Sequence, residues 1–218
     1  MQEYLFRILL MVPIALISLS VHESAHGYVS YKLGDPTARN LGRITLNPFK
    51  HFDIFGFICM VVARVGWAKP VPVNPRYYKN PRVGMALTAA AGPISNLLLG
   101  FIGVFGGELT YRWVLNIMLE GGNANLAITF FNFFYYLAIS NISLAVFNLI
   151  PLPPFDGSRI LYVFLPPKFY FGVMKYERYT MLVVLVLVYI GILDGPLNII
   201  MEGIYNGMAR IITLLPIF

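Results

Sequence analysis

The chain has 218 residues, 58% hydrophobic and 12% charged, with a net charge of +6 and a mean hydropathy of +0.70. Soluble domains carry about a quarter charged residues, so the composition excludes a soluble globule and predicts an α-helical polytopic membrane protein. The positive charge does not indicate a nucleic-acid partner, because Lys and Arg lie between apolar runs and not in one block with interleaved aromatics.

Tyr4 to Tyr31 is predicted as the first span. It lacks the basic leader and small-residue cleavage site of a signal peptide, so it is expected to be retained. His22, Glu23 and His26 lie within it. At about 1.5 Å rise per residue, His22 is roughly 22 Å from Arg7 and roughly 15 Å from Lys32, inside a hydrocarbon core about 30 Å thick and nearer the Lys32 side.

Lys32 to Asp53 reads as a polar connection with turns at Gly34-Asp35-Pro36 and Asn47-Pro48, and it carries His51. Ile54 to Arg64 is apolar but short, and Val65 to Val73 alternates with Gly and Pro. This part is expected to be a re-entrant segment or a small membrane-associated strand.

Val83 to Phe105 is the second predicted span, with Gly84, Ala89, Gly92, Gly100 and Gly103 allowing close helix approach. Glu108 to Gly122 reads as a polar connection. Leu126 to Asn148 is the third span, ended by Pro151, Pro153 and Pro154 and followed, after Asp156-Gly157, by a short helix through Leu165. Thr180 to about Ile200 is a fourth, interrupted at Gly195-Pro196. The expected fold is one domain, 1–218, with its core at 4–165 and about four to six transmembrane segments.

Orientation follows from Lys and Arg. They crowd the stretch from Lys32 to Arg82 and the stretch from Arg159 to Arg178, whereas the connection between Glu108 and Gly122 holds Arg112 alone. Both basic stretches are expected to be cytoplasmic and the N-terminus outside. His22, His26 and Asp156 then lie near the same, cytoplasmic, side.

His22-Glu23-Ser24-Ala25-His26 puts two imidazoles at i and i+4 on one helical face, with a carboxylate beside the first. Zinc takes imidazole nitrogens at about 2.0 to 2.1 Å and is chelated by such a pair without bending the helix. With one cysteine, Cys59, a cysteine-based site is excluded. Ionisable groups inside a membrane are costly and functional by default. The third ligand is open among Asp35, Asp53, Asp156, Asp194 and His51. The next Glu, Glu108, falls across the membrane. Asp35 reads as a turn residue, and Asp194, roughly 24 Å along its helix from Arg178, is expected near the far interface. Asp156 lies at matching depth, yet it also suits the N-cap of the helix that follows.

His22-Glu23-Ser24-Ala25-His26 together with Asn148-x-x-Pro151-x-Pro153-x-x-Asp156-Gly157 resembles the site-2 protease family of intramembrane zinc metalloproteases. Ala91-Gly92-Pro93-Ile94-Ser95-Asn96 and His51-Phe52-Asp53 with Gly56 support the likeness, which runs from the first span to about Leu165. The sequence departs from longer members in having no span before the His cluster and no PDZ or CBS domain, and in Phe155, where Leu is common. The resemblance implies one Zn2+ held by His22, His26 and Asp156, Glu23 as the base, and Asn96 and Asn148 near the active site. Asn148 would hold substrate backbone or the oxyanion. Each Asn is also explained by an interhelical hydrogen bond. His51 and Asp53 are expected as loop structure or outer-shell support.

The implied function is hydrolysis of peptide bonds within or beside transmembrane segments, in regulated intramembrane proteolysis or signal-peptide removal, at a prokaryotic plasma membrane. The partners are then a transmembrane-helix protein substrate and the lipid bilayer. The Val65 to Val73 element would hold the unwound substrate by strand addition. The alternatives are a catalytically silent helix-binding adaptor and a metal or proton transporter. Gly191-x-x-x-Gly195 is a candidate helix contact, more often internal packing, and leaves the oligomeric state open.

Overall fold

The apolar run that opens the chain forms one helix, α1 (Gln2–Lys32), in a computed structural model that describes residues 2–54, 56, 68–166, 172 and 175–215. It stops where the sequence supplies a left-handed residue. Gly34 has φ 106°, its N–H reaches Tyr31 O at 3.0 Å and Asp35 N–H reaches Ser30 O at 3.1 Å. This is the paired closure in which glycine relieves the last orphan carbonyls.

A single turn, α2 (Thr37–Asn40), and the short 3-10 turns Pro48–Lys50 and Pro75–Tyr77 follow. Among the described residues there is no strand, which corrects the strand expectation for 68–73; residues 57–67, and with them most of the re-entrant stretch, lie outside the description. The physical reason is local. Pro70 and Pro72 have no N–H to offer a ladder, and the neighbouring donors are taken: Lys69 N–H by His51 O at 2.9 Å and Val71 N–H by Glu23 Oε2 at 2.7 Å.

Helix α3 (Pro81–Leu119) begins on an Asn80 cap with Pro81 at its first position, where the missing N–H costs nothing. It packs against α4 (Asn125–Asn148) through its glycines: a Cβ at Gly103 would lie 2.5 Å from Ala138 N, and one at Gly106 would lie 2.3 Å from the Phe134 ring. The expected polar connection from Glu108 is helical instead as far as Leu119. No Gly or Pro interrupts that stretch, and Leu109, Trp113 and Leu115 present an apolar exposed face.

After the prolines at 151, 153 and 154 comes α5 (Asp156–Leu161), which ends earlier than the predicted Leu165. The fourth predicted span is bent. Helix α6 (Glu177–Tyr189) and helix α7 (Asp194–Thr213) meet at 83°. The break lies at 190–193, with Gly191 at φ 76°, and not at Gly195-Pro196; Pro196 sits in the first turn of α7, where it is tolerated. Gly191 is therefore a turn residue, and among the described residues of the chain nothing lies within 4 Å of a Cβ at Gly195.

Among the described residues, α1, α3 and α4 are long and apolar enough to cross a membrane, and the bent pair α6–α7 raises the count to as many as 4. The core lies where α3, α4 and α7 meet, at Val104, Ala138, Ile142, Val146 and Ile212.

Candidate metal centre

Two elements far apart in sequence meet at the C-terminal half of α1. His22 and His26 stand one turn apart there, and Asp156 faces them from the first residue of α5. One atom from each of the three lies within 4.8 Å of the others, and Asp156 Oδ2 is 3.2 Å from both Nε2 atoms. The cap of α5 is Phe155, with no side-chain cap bond, so Asp156 does not cap its helix.

Hydrogen bonds fix the imidazole tautomers. His26 Nδ1 lies 2.7 Å from Thr88 O, a carbonyl that can only accept, so Nδ1 carries the proton. His22 Nδ1 lies 2.6 Å from Asn96 Oδ1. The orientation of that amide is set because Asn96 Nδ2 donates to Ser18 O at 3.3 Å and to Asn141 Oδ1 at 2.8 Å. Asn141 Nδ2 in turn donates to Leu137 O and to Ser18 Oγ, and Ser18 Oγ donates to Ile14 O. Every donor in this buried network ends on a main-chain carbonyl or a side-chain oxygen, so His22 Nδ1 also carries its proton.

Both Nε2 atoms are therefore lone pairs. They face each other at 3.0 Å, with Asp156 Oδ2 beside them, buried and accepting no hydrogen bond. Three acceptors held this close repel unless a cation lies among them. Two neutral imidazoles and a carboxylate, with each ring's other nitrogen tied to a fixed acceptor, are the donor set and outer shell of a divalent metal site. These residues could hold a metal ion.

Gly92 makes room for the rings, since a Cβ there would lie 2.5 Å from His22 Cε1 and His26 Nε2. Gly157 does the same for the turn that aims Asp156, where a Cβ would lie 2.3 Å from Leu149 O.

Glu23, Asn148 and Arg159 join the triad in lining a cavity of about 150 Å³, covered by Pro70, Val71 and Val73. Asn148 donates one amide hydrogen to Leu144 O at 2.9 Å. Asn96 is fully buried behind His22 and does not line the cavity. The other third-ligand candidates stay apart. Asp53 Oδ1 accepts from Gly56 N–H at 2.8 Å, and His51 Nε2 donates to Thr45 O at 2.8 Å. Asp194 lies apart from the triad and lines a second cavity together with His51. Asp35 is more than a turn residue: its fully buried carboxylate accepts from Ser30 Oγ, Thr37 N and Asn74 N. Ser30 and Thr88 both bond the Tyr78 hydroxyl, which links this joint to the His26 partner.

Asn141, Ser18 and Arg159 went unremarked in the sequence reading as site residues. Asn141 and Ser18 had one signal, a polar side chain inside an apolar span. Thr88 acts through its carbonyl, which no side-chain pattern reports.

Residues 112–193, which include the Asn148 to Gly157 motif, match Peptidase family M50. The chain is 44% identical over 191 residues to "Putative zinc metalloprotease YwhC" of Bacillus subtilis (strain 168), covering 86% of this chain and 85% of that protein. The chain belongs to peptidase family M50, the site-2 protease family. More distant relatives share the name "Putative zinc metalloprotease Rip2". The one from Mycolicibacterium smegmatis (strain ATCC 700084 / mc(2)155) is 24% identical over 79% of this chain and 63% of its own length. The one from Mycobacterium tuberculosis (strain ATCC 25618 / H37Rv) is 25% identical over 83% and 66%. This M50 chain thus spans about two thirds of the Rip2 proteins. No solved structure matches it significantly. By family it is a metalloprotease, and its apolar helices make it a membrane protein.

Proposed function

We propose that this chain is a zinc-dependent endopeptidase that cuts substrate proteins within or beside a transmembrane segment, near the cytoplasmic face of a prokaryotic plasma membrane. The observation that carries this reading is the convergence of three lone-pair atoms, from His22, His26 and Asp156, in one cavity with Glu23. Zinc bound to them would lower the pKa of a bound water to about 7 and polarise a peptide carbonyl.

The chain's own groups do the rest. Asn96 and Thr88 O orient the two imidazoles, so that little reorganisation accompanies metal binding. Glu23, whose Oε2 is positioned by Val71 N–H, takes a proton from the attacking water. It delivers that proton to the departing amine nitrogen as the C–N bond breaks. The Asn148 amide lies in the same cavity with one hydrogen used on Leu144 O; its second is the donor for substrate backbone or the oxyanion. A helical peptide bond already has its carbonyl hydrogen-bonded, so the substrate unwinds before it is cut. The cytoplasmic placement rests on the Lys and Arg of 32–82 and 159–178.

Glu23→Gln is the test. With a purified single-span model substrate in detergent micelles, the variant is expected to lose cleavage by 10²-fold or more, about the lower range for general acid–base catalysis, with bound zinc unchanged. A silent adaptor leaves the parent itself inactive, and a transporter gives ion flux in liposomes without cleavage.

A further inference from the structure

A second cavity, about 450 Å³, lies between α1, α4, α7 and the loop that carries His51. Two helical stripes connect it to the catalytic cavity. On α1, Leu16, Leu19 and Ser20 line it, and the next position on that face is Glu23. On α4, Ser140 and Leu144 line it, and the next position is Asn148. Spacings of three and four residues keep such positions on one face, so the same faces of both helices line the larger cavity and the catalytic one. The catalytic cavity alone, about 150 Å³, is smaller than the roughly 300 Å³ of ordinary ligand pockets.

The walls are mostly apolar, and no Lys or Arg lines them among the described residues. One polar group is unmatched. His51 is 2% exposed, and because its Nε2–H donates to Thr45 O, its Nδ1 is a lone pair; that atom is buried without a partner among the described residues. A lipid tail cannot supply a hydrogen bond. An apolar peptide that has unwound next to its scissile bond brings free main-chain N–H groups.

We propose that this cavity is the berth for the apolar substrate segment adjoining the scissile bond, and that His51 Nδ1 accepts a main-chain N–H from it. His51 is then a positioning residue for substrate. The proposal rests on the endopeptidase reading and deepens it.

Cross-linking tests the berth without turnover. In Glu23→Gln chains with Cys59→Ser, Ser143→Cys lines the cavity and Leu98→Cys lies on the exposed face of α3. A single-cysteine, single-span substrate in liposomes, treated with a copper–phenanthroline oxidant, is expected to form a disulfide with the first and not the second. Absence of the Ser143→Cys cross-link, or equal cross-linking at Leu98→Cys, overturns the berth. Failure of the parent to bind zinc or cleave overturns the endopeptidase reading instead.

Two variants test the nitrogen. His51→Gln keeps a donor for Thr45 O but removes the acceptor at the δ position; His51→Asn keeps an acceptor there and loses the donor. Losing one hydrogen bond to substrate raises KM roughly three- to tenfold. That rise is expected for His51→Gln, with kcat, zinc content and thermal midpoint near parent, and KM near parent for His51→Asn. A parent-like KM in His51→Gln together with a defective His51→Asn shows that His51 acts only through Thr45, and overturns the role of Nδ1.

Discussion

A methyl group at position 92 would fall 2.5 Å from two histidine rings, yet alanine suits a helix better than glycine by about 1 kcal/mol. Gly92→Ala is therefore expected to keep parent helicity by circular dichroism while binding zinc at least about tenfold more weakly in chelator competition, the lower range for disturbing ligand support. Parent-like affinity would mean the rings do not need that space. At this scale the His pair and Glu23 were legible because i and i+4 is a geometry the sequence states directly. Asp156 was open between cap and ligand, since depth alone does not say where a side chain points; Phe155 takes the cap position, and the orphaned Oδ2 beside two lone pairs supports the ligand reading. Asn96 was placed near the active site by the resemblance alone, and its residue type pointed no further than an interhelical hydrogen bond. Its bond to His22 Nδ1, and the Asn141 and Ser18 network behind it, depend on tertiary contacts across 45 to 123 residues of chain.

Between elements, the Asp35 carboxylate joins the end of α1 to α2 and to the Asn74 turn. Burial pushes its pKa up, but the donations from Thr37, Asn74 and Ser30 outweigh burial and hold it below the usual carboxylate range. A depressed folded pKa stabilises the protein above the unfolded value, and that contribution is lost as pH falls through the folded one. Asp35→Asn is expected to lower stability by about 2 kcal/mol near neutral pH, the size of a hydrogen bond to a charged group. The gap to the parent should shrink in acid as the parent's own carboxylate protonates. Thermal unfolding in detergent across a pH series reads this, and a gap that widens in acid would contradict it. The helices themselves were mostly visible in the sequence, through long apolar runs closed by Gly or Pro. The strand expectation failed because alternating Val and Pro also describes an extended strap, and only the structure shows that Lys69 and Val71 spend their N–H groups on His51 O and Glu23. The break after α6 was misplaced because Pro196 is as natural in the first turn of a helix as in the gap before one.

For the molecule as a whole, the proposed orientation with the N-terminus outside would put the α3–α4 turn outside and α5 inside. A maleimide that does not cross membranes should label Asn123→Cys in a Cys59→Ser chain in intact cells, and labelling only after lysis would invert the topology. The depth match that brought Asp156 to the His pair came from Lys and Arg placement, whereas the 83° bend of the α6–α7 pair and the 450 Å³ cavity beside it had no sequence signature beyond the expected interruption of that span. In the proposed site His22, His26 and Asp156 hold the metal and Glu23 does not. Zinc content of the purified chain, by elemental analysis, tests it most directly. About one zinc per chain is expected for the parent and for Glu23→Gln, and a clear loss for Asp156→Ala; zinc retained in Asp156→Ala, or lost from Glu23→Gln, would contradict it.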